Sequence, residues 1–277
     1  MTPLEAEQQI AWSTLQERFP WPAKKPAAEP VAWSMDYGGR DLITDVIASR
    51  RLRVVLEIGV FLGGSVRQWL DACDDVVVVA VDPWRDLKRT TTHKTLVEKH
   101  QLGRRYGDQL FAPEGLYDTF VASLWDQRLR VVPIRGTGIE VLPIIHAAGL
   151  RPDLIYLDAD KKGKELPQCA ELFPGALIGG DDWIWQDGRS FPIRIPAFET
   201  ARRQGRVLKH VDQTWLIDDR PWTWRQRLLW ARRLPWSVGH TLDAGRQRLC
   251  GRTSAGTPLC TTAPAGRSTS PPQTFDR

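Results

Sequence analysis

The chain has 277 residues, 42% hydrophobic and 26% charged, which is enough apolar matter for a packed core and excludes global disorder. Its net charge of +5 is uneven: from Pro221 onward nine Arg and no Lys face two Asp, whereas residues 1–220 are slightly acidic. A basic tail points to anionic partners for the tail alone, so nucleic acid is not expected as the partner of the main domain.

Residues 3–18 predict a helix, followed by Phe19-Pro20-Trp21-Pro22 and a Pro/Ala stretch that reads as a surface linker. The opening Met1-Thr2-Pro3-Leu4-Glu5 lacks the basic start and apolar stretch of a secretory signal. Helical signals resume over residues 40–49. Strand-like and helical stretches then alternate: 54–58 with 65–72, 76–81 with a longer polar helical region, 131–134 with 139–148, 154–157 with 164–173, and 176–178 with 197–204. Unbroken Val/Ile/Leu runs, rather than alternating ones, predict strands buried on both faces of a parallel sheet. Residues 206–211 and 214–217, joined by Asp212-Gln213, predict a terminal antiparallel hairpin. The expected fold is therefore α/β: a doubly wound, mostly parallel seven-stranded sheet. The longest purely apolar run, residues 76–81, is far below the roughly 20 residues of a membrane span. Cys73, Cys169, Cys250 and Cys260 form no CxxC pair. A soluble cytoplasmic protein is the expectation.

The first strand runs into Glu57-Ile58-Gly59-Val60-Phe61-Leu62-Gly63-Gly64-Ser65. Glycines let the backbone turn sharply and let a ligand approach. The spacing is not the G-x-G-x-x-G that seats a dinucleotide pyrophosphate. An acid inside the turn repels phosphate and favours a cationic ammonium or sulfonium. The next strand ends at Asp82, suited to accepting two ribose hydroxyls, with Trp84 following to pack on a flat base.

At these residues the chain resembles the class I S-adenosylmethionine (SAM)-dependent methyltransferases. Glu57-x-Gly59-x-x-x-Gly63 is similar to their first motif and Asp82 to the acidic ribose ligand of their second. The resemblance implies a Rossmann-like methyltransferase fold, with Gly59, Gly63, Gly64 and Ser65 around SAM. It also places Gly136 and Thr137 near adenine, and Met35-Asp36-Tyr37-Gly38 over the methionine end.

Two acidic groups follow at successive strand ends, Asp158-Ala159-Asp160-Lys161 and Gly179-Gly180-Asp181-Asp182-Trp183. Carboxylates converging there repel one another unless a cation is bound or some are protonated. Oxygen-only ligation favours Mg²⁺, Mn²⁺ or Ca²⁺. The pattern resembles the divalent-metal-dependent O-methyltransferases of the catechol and caffeoyl-CoA type and the bacterial macrocin and cephalosporin-cluster branch. That resemblance implies Asp158, Asp181 and Asp182 as metal ligands, Asp182 replacing the usual Asn, with Asp158 also beside the cofactor. Two other roles stay open: Asp182 capping the next helix, and Asp160 capping the helix after the fourth strand. Lys161 is either a dry general base or a lysine reaching into solvent. The expected acceptor is a hydroxyl of a sugar, glycan or small natural product. The alternatives are a metal-independent methyltransferase acting on RNA or another acceptor, and a non-catalytic cofactor-binding protein.

These readings divide the chain into an N-terminal helical cover and linker (1–34), a SAM-dependent methyltransferase domain (35–220), a basic Trp/Arg-rich helical appendix (221–250) and a disordered tail (251–277). Interleaved Trp and Arg over 221–236 fit packing on the domain or a homo-oligomer contact, a peripheral anionic membrane or glycolipid surface, or nucleic acid. Deleting residues 251–277 is expected to leave the thermal midpoint unchanged, because this Thr/Ser/Pro/Gly-rich stretch offers little to bury. Calorimetric melting of the shortened chain checks this, and a lowered midpoint would show that the tail is packed.

Overall fold

The apolar runs form strands in the computed structural model, which describes residues 5–31, 39–86 and 102–232. The described elements are α1 (Ala6–Arg18), α2 (Asp41–Arg50), β1 (Val54–Ile58), α3 (Gly64–Ala72), β2 (Val77–Asp82), α4 (Leu102–Leu110), α5 (Gly115–Leu124), a 3₁₀ turn (Trp125–Arg130), β3 (Val131–Arg135), α6 (Gly138–Ala147), β4 (Leu154–Leu157), α7 (Glu165–Leu172), β5 (Leu177–Gly180), α8 (Arg194–Gln204), β6 (Val207–Val211) and β7 (Thr214–Asp218). Residues 224–232 are helical. The segment 35–38, most of the polar region after β2, Trp236 and the 251–277 tail lie outside the described residues.

The described strands make one seven-stranded sheet in the order β3-β2-β1-β4-β5-β7-β6. Strands β1 to β5 pair in parallel, and β7 inserts antiparallel between β5 and β6. This is the doubly wound sheet with a terminal hairpin that the sequence predicts. The Val/Ile runs divide by alternation between two apolar layers. Val54, Leu56 and Ile58 of β1 pack with Trp12 and Leu15 of α1, Val141 and Leu142 of α6, and Leu166 of α7. Val55, Val78, Ala80 and Tyr156 face the other side, against Ile43 and Ile47 of α2, Trp69 of α3 and Phe120 of α5. Helices on both faces explain why no strand of the parallel part shows a polar side.

β1 lies between β2 and β4, so the order of successive strands, which runs outward from β1 through β2 to β3, reverses there toward β4 and β5. In open α/β sheets the crevice outside the carboxyl ends at such a switch point is where ligands bind. No described helix is long and apolar enough to cross a membrane.

The segment after Pro221 is tied to this domain. Lys209 of β6 is fully buried, and its Nζ donates to Asp218 Oδ2 (2.6 Å), Gln226 Oε1 (2.8 Å) and the Pro221 carbonyl (3.1 Å). Arg50, at the end of α2, also binds the buried Asp218. Trp222 and Leu229 pack on the α2 side of the sheet, while Trp224 and Trp230 are exposed. The boundary drawn at residue 220 is therefore crossed by buried polar bonds. Lys209→Met removes one of the two cations on Asp218. A cost of about 3 kcal/mol is expected, since a buried charge that loses its partner is left uncompensated. Urea unfolding measures it, and an unchanged unfolding free energy would show that Arg50 alone suffices.

Candidate active site

The turn after β1 is shaped by close packing. Gly59 has φ +92°, and a Cβ there would stand 2.3 Å from the Asp158 carbonyl oxygen. Gly63 has φ +83° and precedes α3, and a Cβ on it would meet Leu124 and Phe120 at 2.9 and 3.0 Å. No other residue type fits either place without displacing its neighbours. Gly64 and Ser65 begin α3. The Ser65 hydroxyl donates to Glu57 Oε1 (2.5 Å), while Glu57 Oε2 is buried with no hydrogen-bond partner among the described residues. Across the crevice Asp82 closes the turn: its Oδ2 accepts from the Phe61 N–H (2.9 Å) and its Oδ1 from the Trp84 N–H (2.7 Å). Glu57, Gly59, Gly63, Gly64, Ser65 and Asp82 are thus brought to one edge, as the sequence predicts.

Trp84 is a correction. It is 1% exposed, donates its Nε1–H to the Phe61 carbonyl (2.7 Å) and packs against Tyr117 and Phe120, so its ring has no open face for a base. Thr137 acts as an N-cap: it shares a capping box with Glu140 at the start of α6. At Gly136 a Cβ would lie 2.7 Å from Val141. Both follow β3 at the same sheet edge as Asp82, whose carbonyl accepts the Gly136 N–H (3.1 Å).

The acidic side holds a cation that the sequence reading missed. Arg40, just before α2, is 5% exposed, and its Nη2 lies 2.6 Å from Asp158 Oδ2 and 3.7 Å from Asp181 Oδ2. Its Nε donates to the Tyr156 hydroxyl (3.3 Å). The cation at Asp158 and Asp181 is thus an arginine of the chain. Nothing in the local spacing of Gly39-Arg40-Asp41 marks the arginine, because only the packing of α2 brings it to the ends of β4 and β5. Burial, then the charge of Asp181, push the Asp158 carboxyl well above the usual carboxylate range, against the pull of Arg40.

Lys161 is half exposed, donates to Asp182 Oδ1 (2.9 Å) and sits 5.2 Å from the Trp185 ring centroid. This matches the lysine that reaches toward solvent rather than a dry amine. Asp182 has φ +66° and is followed by a turn, with Trp185 N–H bonded to its carbonyl, so it caps no helix. Asp160 does not cap either: its Oδ2 accepts the Lys164 N–H (2.8 Å) ahead of α7, whose N-cap is Lys164 with no side-chain cap bond. The three expected metal ligands are thus divided between Arg40 and Lys161. Among the described residues no three His, Cys, Asp or Glu side chains gather as an ion would need. The residues as placed do not fit a divalent ion.

No protein-family model and no curated protein matches the chain. Among solved structures it is similar to the O-methyltransferase TomG of Streptomyces achromogenes, in complex with SAM, at 16% identity over 78% of this chain and 91% of that one, with a TM-score of 0.44. It is also similar to an O-methyltransferase of Bacillus cereus in complex with SAH, at 17% identity over 78% and 91%, with a TM-score of 0.42.

Burial drives the Glu57 carboxyl from its ordinary 4.5 to about 8, against Arg40 and the Ser65 hydrogen bond. Between those values the folded chain holds this proton and the unfolded chain does not. Unfolding then releases a proton, and stability falls as pH rises, by at most about 1.4 kcal/mol per pH unit. Glu57→Gln removes the effect, so its stability relative to the wild type is expected to climb from about pH 5 to about pH 8 and then level off. Chemical denaturation across this range tests it. A difference that does not vary with pH would mean that Glu57 is ionised in the folded chain.

Proposed function

We propose that the chain is a SAM-dependent O-methyltransferase acting on a hydroxyl of a sugar, glycan or small natural product. The observation that carries this is the junction of the β1 turn with Asp82. A carboxylate at the end of β2 is fixed by N–H groups on both sides of the crevice, 2.9 Å from Phe61 N and 2.7 Å from Trp84 N. A carboxylate held in this orientation can accept ribose hydroxyls. The Glu57 carboxyl beneath the turn keeps one oxygen with no hydrogen-bond partner among the described residues. These features fit SAM. Gly59, Gly63 and Gly64 would line its path, Asp82 would take the ribose and Gly136-Thr137 would border the base. Bound SAM supplies a methyl group on a sulfonium, open to displacement by an oxygen aligned with the sulfur–carbon bond.

The remaining work falls to the chain's own groups at the ends of β4 and β5. Asp158 lies beside the β1 turn through the Gly59 contact, is ion-paired with Arg40, and is the proton acceptor in this reading. Lys161, ion-paired and half exposed, steadies Asp182 and the turn at Trp185. Arg40 orients Asp158 and keeps its second oxygen available. No metal step enters, since the expected ligands are already engaged.

Isothermal titration should give saturable binding of SAM and its demethylated product, and none of NAD. Asp82→Asn, which keeps the shape but halves the acceptor capacity, is expected to weaken SAM at least about tenfold. Equal affinity for NAD, or an Asp82→Asn variant that binds SAM as well as the wild type, would remove the cofactor assignment.

A further inference from the structure

Each carboxylate that the sequence offers to a divalent ion already meets a cation of the chain. Arg40 Nη2 stands 2.6 Å from Asp158 and 3.7 Å from Asp181, and Lys161 Nζ stands 2.9 Å from Asp182. We propose that Arg40 is the resident cation of this site and that the chain binds its acceptor without a divalent metal. What the site does rests on the methyltransferase reading; what occupies it does not.

Arg40 is built in. Its carbonyl accepts the Ile43 and Thr44 N–H groups (3.0 Å each) and the Thr44 hydroxyl (3.1 Å), which fixes it as the first turn of α2. Leu42, Ile43, Val46 and Ile47 of that helix are fully buried, so the arginine cannot withdraw with its backbone. The guanidinium also lies 5.8 Å from the Tyr156 ring centroid and donates to the Tyr156 hydroxyl. Swinging it out would leave both carboxylates and this hydroxyl without the donor. A divalent ion entering beside it would meet a positive charge at contact distance in a poorly solvated place.

The exchange of ion for guanidinium changes what the site offers. A guanidinium stays charged at every working pH and presents planar donors, which suits holding two carboxylates in fixed orientation. It supplies no vacant coordination position for a chelating diol. Arg40 is therefore a positioning residue: it sets Asp158, and the acceptor oxygen is met by hydrogen bonds instead of by an ion.

The test titrates EDTA-stripped full-length chain with Mn²⁺ by electron paramagnetic resonance, with SAM calorimetry on the same samples. The wild type is expected to show no saturable Mn²⁺ site up to about 1 mM. Arg40→Met should tighten Mn²⁺ binding at least about tenfold, and adding Asp158→Asn should cancel the gain. Arg40→Lys, which restores the charge, should again exclude Mn²⁺. A wild type that binds Mn²⁺ at micromolar concentration and loses it in Asp158→Asn or Asp181→Asn overturns the proposal. So does a folded Arg40→Met chain that gains no Mn²⁺ site. Should Arg40→Met not fold, the wild-type titration decides by itself. Absence of SAM binding would refute the methyltransferase reading and leave the Mn²⁺ result intact.

Discussion

Burial of the parallel strands on both faces is the constraint from which the rest of the molecule follows. With Val54, Leu56 and Ile58 committed to one layer and Val55 to the other, β1 has no face on which to carry polar chemistry. A functional group can enter only where a strand ends. Glu57, Asp82, Asp158 and Asp181 all occupy such positions, within or just beyond β1, β2, β4 and β5. Their convergence is a consequence of covering the sheet twice, and the reversal of strand order beside β1 opens the space between them.

The parts of the structure that depend on local pattern were legible in the sequence. Runs of β-branched residues, glycine turns and the Asp212-Gln213 connection each carry their signal within a few residues, and the strands and the hairpin lie where those signals stand. The meeting of the β1 turn with Asp82 was legible for the same reason, since a turn and the next strand end are close in sequence. Arg40 was not. It lies 118 residues from Asp158, and its partnership is created by α2 docking on the sheet. Trp84 failed differently: proximity to Asp82 suggested an exposed ring, but Tyr117 and Phe120 of α5 complete a cage around it. Thr137 has a helix-capping role legible in Thr137-x-x-Glu140 that competes with the ligand role read first.

Two buried cations divide the electrostatics of the domain. Arg40 serves the carboxyl edge and Lys209 the outer strand β6, and each is met by carboxylate oxygen at 2.6 Å. Desolvating a charge is tolerable only when partners replace the lost water. Arg40 finds its partner 118 residues away, whereas Lys209 takes its partners from the adjacent strand β7 and the segment just after it. At Lys209 the ammonium is fully enclosed by Asp218, Gln226 and a carbonyl, an arrangement with nothing left to offer a ligand. At Asp158, about a fifth of the side chain remains exposed, and the same kind of pairing stands at an open edge. The difference separates a sealed pair from one that solvent can reach.

The missing side chain at Gly59 has a mechanical meaning. With the Asp158 carbonyl oxygen where a Cβ would be, the backbones of the β1 turn and the β4 end bear directly on one another. There is no intervening side chain to absorb a displacement by changing rotamer. Close-packed interiors transmit strain rather than dissipate it, so a shift of the turn as it accommodates one molecule is passed to Asp158 as a change in the position of its carboxylate. The β1 turn and the β4 end are thereby joined backbone to backbone.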